Sequence, residues 1–167
     1  NHSLASLAHG LGQFPAVIGN GIEPLGDYHG TIDRIIGDID AALEFYGDLF
    51  EFTVRRRSDT AAFIDLGDQF INFSKGRRQG PDDNRHVGLV VDDKAAVERQ
   101  LKELGIAILP GRFLDFLDPW GNRIEIVGYP DIQFTKAAHV LRGMGLEGLK
   151  KTQKALDELA EKGMAPT

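Results

Sequence analysis

The chain has 167 residues, and 25 acidic against 19 basic side chains give a formal charge of −6. One domain is the expectation at this length, and the chain is long enough to bury a real core. With no cysteine, disulfides, thiolate metal sites, Fe–S clusters and a cysteine nucleophile are excluded. No apolar run approaches the roughly 18 residues of a membrane helix, and the acidic balance argues against a nucleic-acid partner. The start, Asn1-His2-Ser3, carries no signal-peptide pattern, so a cytoplasmic protein is expected.

Residues 1–30 are punctuated by Gly10, Gly12, Gly19, Gly21, Gly26 and Gly30, with Pro15 and Pro24. No helical or strand period survives that spacing, so an irregular N-terminal arm is expected. Thr31 to Ile36 reads as a strand. Asp38 then caps a helix to about Leu49, with Ile39, Ala42, Leu43, Tyr46 and Leu49 near one face. Glu51–Arg57, Ala61–Leu66 and Phe70–Ser74 read as three strands, the last two joined by a turn at Gly67-Asp68. Lys75 to Arg85 is a polar linker.

The order of elements then recurs. His86–Val91 is β-rich, Asp92-Asp93 caps a helix from Lys94 to about Leu104, and Gly105 ends it. Ile106–Leu109, Arg112–Leu117 and Arg123–Val127 are predicted strands, with a turn at Asp118–Asn122 before the last. The pattern is β-α-β-β-β twice, with a period of about 55 residues. The expected modules are residues 31–75 and 85–128 of one 31–128 domain. In residues 129–167, Thr135 is expected to cap a helix over Lys136–Arg142. A second helix is expected over Leu149–Lys162, with Leu149, Leu156, Leu159 and Ala160 as its apolar face and Gly163 as its stop.

Three stretches resemble the vicinal-oxygen-chelate superfamily, which takes in glyoxalases, bleomycin-resistance proteins, fosfomycin-resistance enzymes and extradiol dioxygenases. They are Gly37-Asp38-Ile39-Asp40-Ala41-Ala42-Leu43-Glu44-Phe45-Tyr46, the run His86-Val87-Gly88-Leu89-Val90-Val91-Asp92-Asp93, and the hairpin Phe116-Leu117-Asp118-Pro119-Trp120-Gly121-Asn122-Arg123-Ile124-Glu125-Ile126. The likeness covers about residues 30–128. It implies an α+β fold in which two β-α-β-β-β modules form a curved mixed-sheet cup, here with added C-terminal helices. It also implies a divalent metal (Fe, Mn, Zn or Ni) held by inward side chains from the first and last strands of each module. Imidazole and carboxylate suit such metals, and open coordination positions polarise a substrate oxygen.

Position by position, the resemblance assigns His86 and Glu125 as metal ligands. The corresponding first-module positions fall on Thr31 and Asn72, neither of them a strong transition-metal ligand. His29 lies two residues before Thr31, and a two-residue step keeps a strand face. If it points inward, His29, His86 and Glu125 form a 2-His-1-carboxylate set. Asp33, further along that face, is a candidate ligand or base, and Glu125 is a candidate catalytic carboxylate. Thr31, Asn72, Phe70 and Phe116 are candidate substrate-pocket residues. Glu125 lies between Ile124 and Ile126, so it faces either the cup or solvent. Trp120 reads as a packing anchor, and Arg55-Arg56-Arg57 and Arg77-Arg78 as solvated charges.

Three functions compete. One is a metal-dependent enzyme, a ring-cleaving dioxygenase or a lyase or isomerase, acting on a small, vicinal-oxygen substrate, aromatic compounds included, by ring cleavage, isomerisation or addition. The second is a metal-free binding protein of the drug-sequestering kind. The third is an interaction module whose cup is only core. The family's small members and the amphipathic C-terminal helices both point to a homodimer.

Overall fold

The computed structural model describes residues 31–165. Among these residues seven strands form two small sheets, and the architecture is α+β as expected. In the first half, β1 (Thr31–Ile36) leads into α1 (Ile39–Leu49), followed by β2 (Thr53–Arg57), β3 (Ala61–Leu66) and β4 (Gln69–Lys75). Their order in the sheet is β1-β4-β3-β2, with β1 and β4 parallel and the other pairs antiparallel. In the second half, β5 (Val87–Val91), α2 (Lys94–Glu103), β6 (Leu114–Leu117) and β7 (Arg123–Gly128) give the order β5-β7-β6, with β5 and β7 parallel.

The helices start where their caps dictate. The side chain of Asp38 accepts from Ala41 N at 3.0 Å, and that of Asp93 from Ala96 N at 2.9 Å. Each occupies a free donor of the first turn. One face of each helix is buried: Ile39, Ala42, Tyr46 and Leu49 on α1, and Ala96, Val97 and Leu101 on α2. They cover one side of each sheet, where Ile64, Ile71, Phe73, Ile124 and Ile126 are buried. Each such side chain contributes roughly 1.5–3 kcal/mol on burial. The opposite sheet faces carry partly exposed side chains. On β2, the outermost strand of its sheet, Arg55, Arg56 and Arg57 are exposed as expected. Charge on an edge discourages pairing with another chain.

The two halves share one core, and a buried turn fastens them. Asp118 is 3 % exposed. Its Oδ1 accepts from Trp120 N and Asn122 N, and its Oδ2 from Asn122 Nδ2 and from the hydroxyl of Tyr46 on α1, at 2.9 Å. The Trp120 indole lies so near Gly37 that a Cβ there would meet Nε1 at 2.7 Å. Trp120 is thus the packing anchor the sequence suggests. The linker joins in. Arg77 donates to Asn122 Oδ1, Gly80 O, Gly121 O and Asp82 Oδ1, and its side chain is 7 % exposed. Arg77 is therefore not the solvated charge expected of it. Burial opposes the ionisation of Asp82, but Arg77 and Arg85 outweigh it and hold the carboxyl below its ordinary range.

Three further expectations change. The predicted strand Ile106–Leu109 is a single bridge, Ile108 to Phe116. Pro110 follows at once and Gly111 has φ +152°, so the ladder cannot extend. Thr135 caps nothing. The Tyr129 hydroxyl accepts from Lys136 N at 3.1 Å, Ala137 is extended, and α3 spans Ala138–Gly143. The last helix, α4, spans Gln153–Glu161 because Thr152 is its cap, and Gly163 at φ +68° follows its end. Leu149 packs instead around Val90 and Tyr129, while Ala155 and Leu159 are the buried residues of α4. No helix among the described residues is long and apolar enough to cross a membrane.

A lysine holds the C-terminal extension together. Lys151 Nζ donates to Tyr129 O at 2.6 Å and Ile132 O at 3.1 Å, and lies 3.5 Å from the Tyr129 ring centroid. Burial, reinforced by Lys136 and opposed by Asp131, lowers its pKa to about 8.

Two tests follow from these contacts. Asp118→Ala should cost at least about 2 kcal/mol in chemical unfolding, since it removes the acceptor of four hydrogen bonds at a buried turn. A lysine with a lowered folded-state pKa gains a proton on unfolding between that value and its ordinary one, so stability rises with pH there. Amide protection of α4, corrected for intrinsic exchange, should therefore be greater near pH 10 than near pH 7, and Lys151→Met should abolish the difference.

Candidate functional site

The site grows from the alternation of β7. Ile124 and Ile126 are buried toward the helices, so Arg123, Glu125 and Val127 face the other way and are partly exposed. This settles the orientation of Glu125: it stands on the open face. Across the parallel pair, its partner on β5 is Gly88. A Cβ at Gly88 would meet the Val127 side chain, at 3.7 Å. His86 lies two residues before Gly88, just ahead of β5, and its imidazole meets the Glu125 carboxylate. Its Nε2 lies 2.9 Å from Glu125 Oε2, with the imidazole 47 % and the carboxylate 16 % exposed.

The sequence singled out neither partner on the other side. Asp115 on β6 is directly opposite Glu125, and paired residues of antiparallel strands share a face. It is 3 % exposed. Its Oδ2 accepts from Arg123 Nε at 2.8 Å and also from Arg123 Nη2, while Arg123 Nη1 donates to Asp83 O. Asp115 Oδ1 is buried without a hydrogen-bond partner among the described residues. A carboxylate inside Leu114-Asp115-Phe116-Leu117 was the available signal, because an ion within an apolar strand needs a counter-ion. The open face of the second sheet is therefore ordered Arg123–Asp115–Glu125–His86.

The other candidates are placed as follows. Asn72 on β4 is partly buried and its Nδ2 donates to Ser74 Oγ at 3.0 Å. Phe70 shares that face, 6.4 Å from the Phe63 ring and under Arg55 at 5.6 Å. Thr31 pairs with Phe70 and Asp33 with Asn72 in the backbone register. Phe116 is fully buried on the helix side, 6.3 Å from Phe45. It is a core residue and not a pocket wall, because it alternates with Asp115. His29 lies outside the described residues. Among those residues, no three His, Cys, Asp or Glu side chains gather closely enough to hold a metal. His86 and Glu125 have the chemistry of metal ligands, but a catalytic zinc usually takes three protein ligands.

The model of the Glyoxalase/Bleomycin resistance protein/Dioxygenase superfamily matches residues 30–126. The chain belongs to this superfamily. No curated protein matches the sequence. Solved structures agree on the fold. A protein described as a possible glyoxalase from Bacillus cereus superposes with TM-score 0.51 at 22% identity, over 59% of this chain and 96% of its own. The Listeria monocytogenes fosfomycin resistance protein FosX, as a glutamate-to-glutamine mutant complexed with Mn(II) and 1S,2S-dihydroxypropylphosphonic acid, gives 0.54 at 17%, over 62% and 90%. A bleomycin resistance determinant encoded on the transposon Tn5 gives 0.50 at 20%, over 61% and 98%. The stretch that matches the superfamily ends near the close of β7.

A double-mutant cycle tests the pairing beside Glu125. Arg123→Leu alone should cost about 2 kcal/mol, because Asp115 is left buried without its counter-ion. Adding Asp115→Leu should restore part of that loss; additive costs in thermal or urea unfolding would show that the two side chains are not coupled.

Proposed function

We propose that this superfamily member is a metal-dependent enzyme acting on a small substrate with two neighbouring oxygens, aromatic substrates included, as a ring-cleaving dioxygenase or a lyase or isomerase. One observation carries the reading: Nε2 of His86 and Oε2 of Glu125 converge to 2.9 Å on an open sheet face. These are the two positions the superfamily likeness marks as ligands. Imidazole and carboxylate suit Fe, Mn, Zn and Ni, and the FosX relative was crystallised with Mn(II). We assign the third ligand to His29 and a ligand or base role to Asp33. A bound divalent metal would supply Lewis-acid polarisation of a substrate oxygen.

The chain's own residues supply the rest. Glu125 is a proton acceptor held beside an imidazole, and proton transfer needs this hydrogen-bond reach. Arg123 occupies the Asp115 carboxylate, leaving Glu125 to His86. Phe70 offers an aromatic wall and Asn72 an amide for substrate oxygens, with Thr31 beside them in the register. The protein is proposed to act as a homodimer.

A second reading has its own support. Only two ligand-type side chains converge among the described residues, which favours a metal-free small-molecule binder. Elemental analysis separates the two. Protein purified without chelator or a nickel column should hold near-stoichiometric metal, and His86→Ala should lose it. Metal content that survives His86→Ala would overturn the assignment. No uptake after Fe, Mn, Zn and Ni are added back would establish the binding reading.

A further inference from the structure

The C-terminal extension lies beyond the stretch that matches the superfamily, yet it reaches both sheets. On the second sheet it covers Val90 and Val127, which is two residues past Glu125 on the same face. Tyr129, Phe134, Leu141, Met144 and Leu149 form that cover. Toward the first sheet, Lys136 Nζ meets Asp68 Oδ2 at 2.5 Å in the β3–β4 turn, and the lysine side chain is only 7 % exposed. The extension is thus fixed at two points by different forces, one apolar and one ionic.

Between these anchors a cleft of about 470 Å³ separates α3 from the first sheet. That size lies within the roughly 300–1,000 Å³ of small-molecule sites. Gly143 and Met144 line one side; Glu51, Phe52, Thr53, Asp65 and Gly67 line the other. A Cβ added at Gly143 would meet nothing within 4 Å, so the helix leaves room there. The lining chemistry is one-sided. Glu51, Asp65 and Thr53 offer acceptor oxygens, Phe52 and Met144 offer apolar surface, and no lining residue is a cation. Arg55 Nε lies 3.4 Å from Asp65 and offsets its charge, so Glu51 supplies the excess.

We propose that this cleft is a second small-molecule site, one that binds an organic cation with its ammonium toward Glu51 and Asp65 and its apolar body between Phe52 and Met144. The polarisable thioether of Met144 favours such a body, and Phe52, whose ring packs against the core beside Gly47, backs it. An anion of equal size meets repulsion from the same carboxylates. The site exists only because the extension brings α3 over β2 and β3. It shares no lining residue with the His86–Glu125 pair, although Asp65 is the register partner of Phe70, so its test reads binding at Met144 and not the proposed reaction.

The chain has two methionines, Met144 and Met164, so methyl-labelled methionine gives a two-resonance NMR assay on the full chain. Met144→Leu assigns the peaks. Benzylamine is expected to shift the Met144 methyl saturably and leave Met164 in place, while benzoate shifts neither. Glu51→Gln, at an exposed position, should weaken benzylamine about tenfold. Gly143→Leu should fill the cleft and abolish the shift. The proposal is overturned if benzylamine leaves Met144 unmoved, if benzoate binds as well, or if Glu51→Gln binds benzylamine as tightly as the parent chain.

Discussion

The carboxylate of Asp118 is the constraint on which the rest of the molecule depends. It sits in a turn between two short strands and accepts four hydrogen bonds while almost fully buried. Three of them shape the turn itself. The fourth comes from Tyr46, on a helix of the other half. A buried charge is tolerated only when its lone pairs are occupied, so the turn and helix α1 must come together in one arrangement. Gly37 under Trp120, and Gly121 against Pro81, let the chain approach closely enough for this to happen. At Gly121 (φ +84°) a side chain would be both strained and obstructed.

Once the two halves are fixed through their helices, their sheet faces on the other side remain open. The candidate site inherits its position from that arrangement. Glu125 reaches the open face because two isoleucines occupy the core side of the same strand, and His86, at the start of the neighbouring strand, meets it there. Arg123 then compensates Asp115 next door. The arrangement places one basic ring against one carboxylate, with a second carboxylate already paired. The C-terminal extension uses Val90 and Val127 of this face as its own footing, which brings α3 to the border of the first sheet.

Much of this was legible from residue order. Alternation places Asn72, Phe70 and Ser74 on one face of β4, and the Asp38 and Asp93 caps mark both helix starts to the residue. The duplicated order of elements and the three family-like stretches lead to the correct superfamily. Other features were not legible. Arg77 reads as a loop charge until the turn at Asn122 closes on it. Phe116 reads as a cup wall until its neighbour Asp115 is seen to take the open face. Thr135 is a sound helix cap in isolation, but the Tyr129 hydroxyl takes the nearby amide first.

By itself the sequence determined the local elements, because helix caps, strand alternation and turn glycines act over a few residues and need no distant partner. It also determined which residue types were available for chemistry: imidazole and carboxylate, never thiolate. Tertiary structure alone decided which of them meet. The His86–Glu125 contact, the Arg123–Asp115 pairing and the seating of α3 across two sheets all depend on sheet register and on packing between distant segments. Such contacts are set by which surfaces must be buried together, and no short stretch of sequence carries that information.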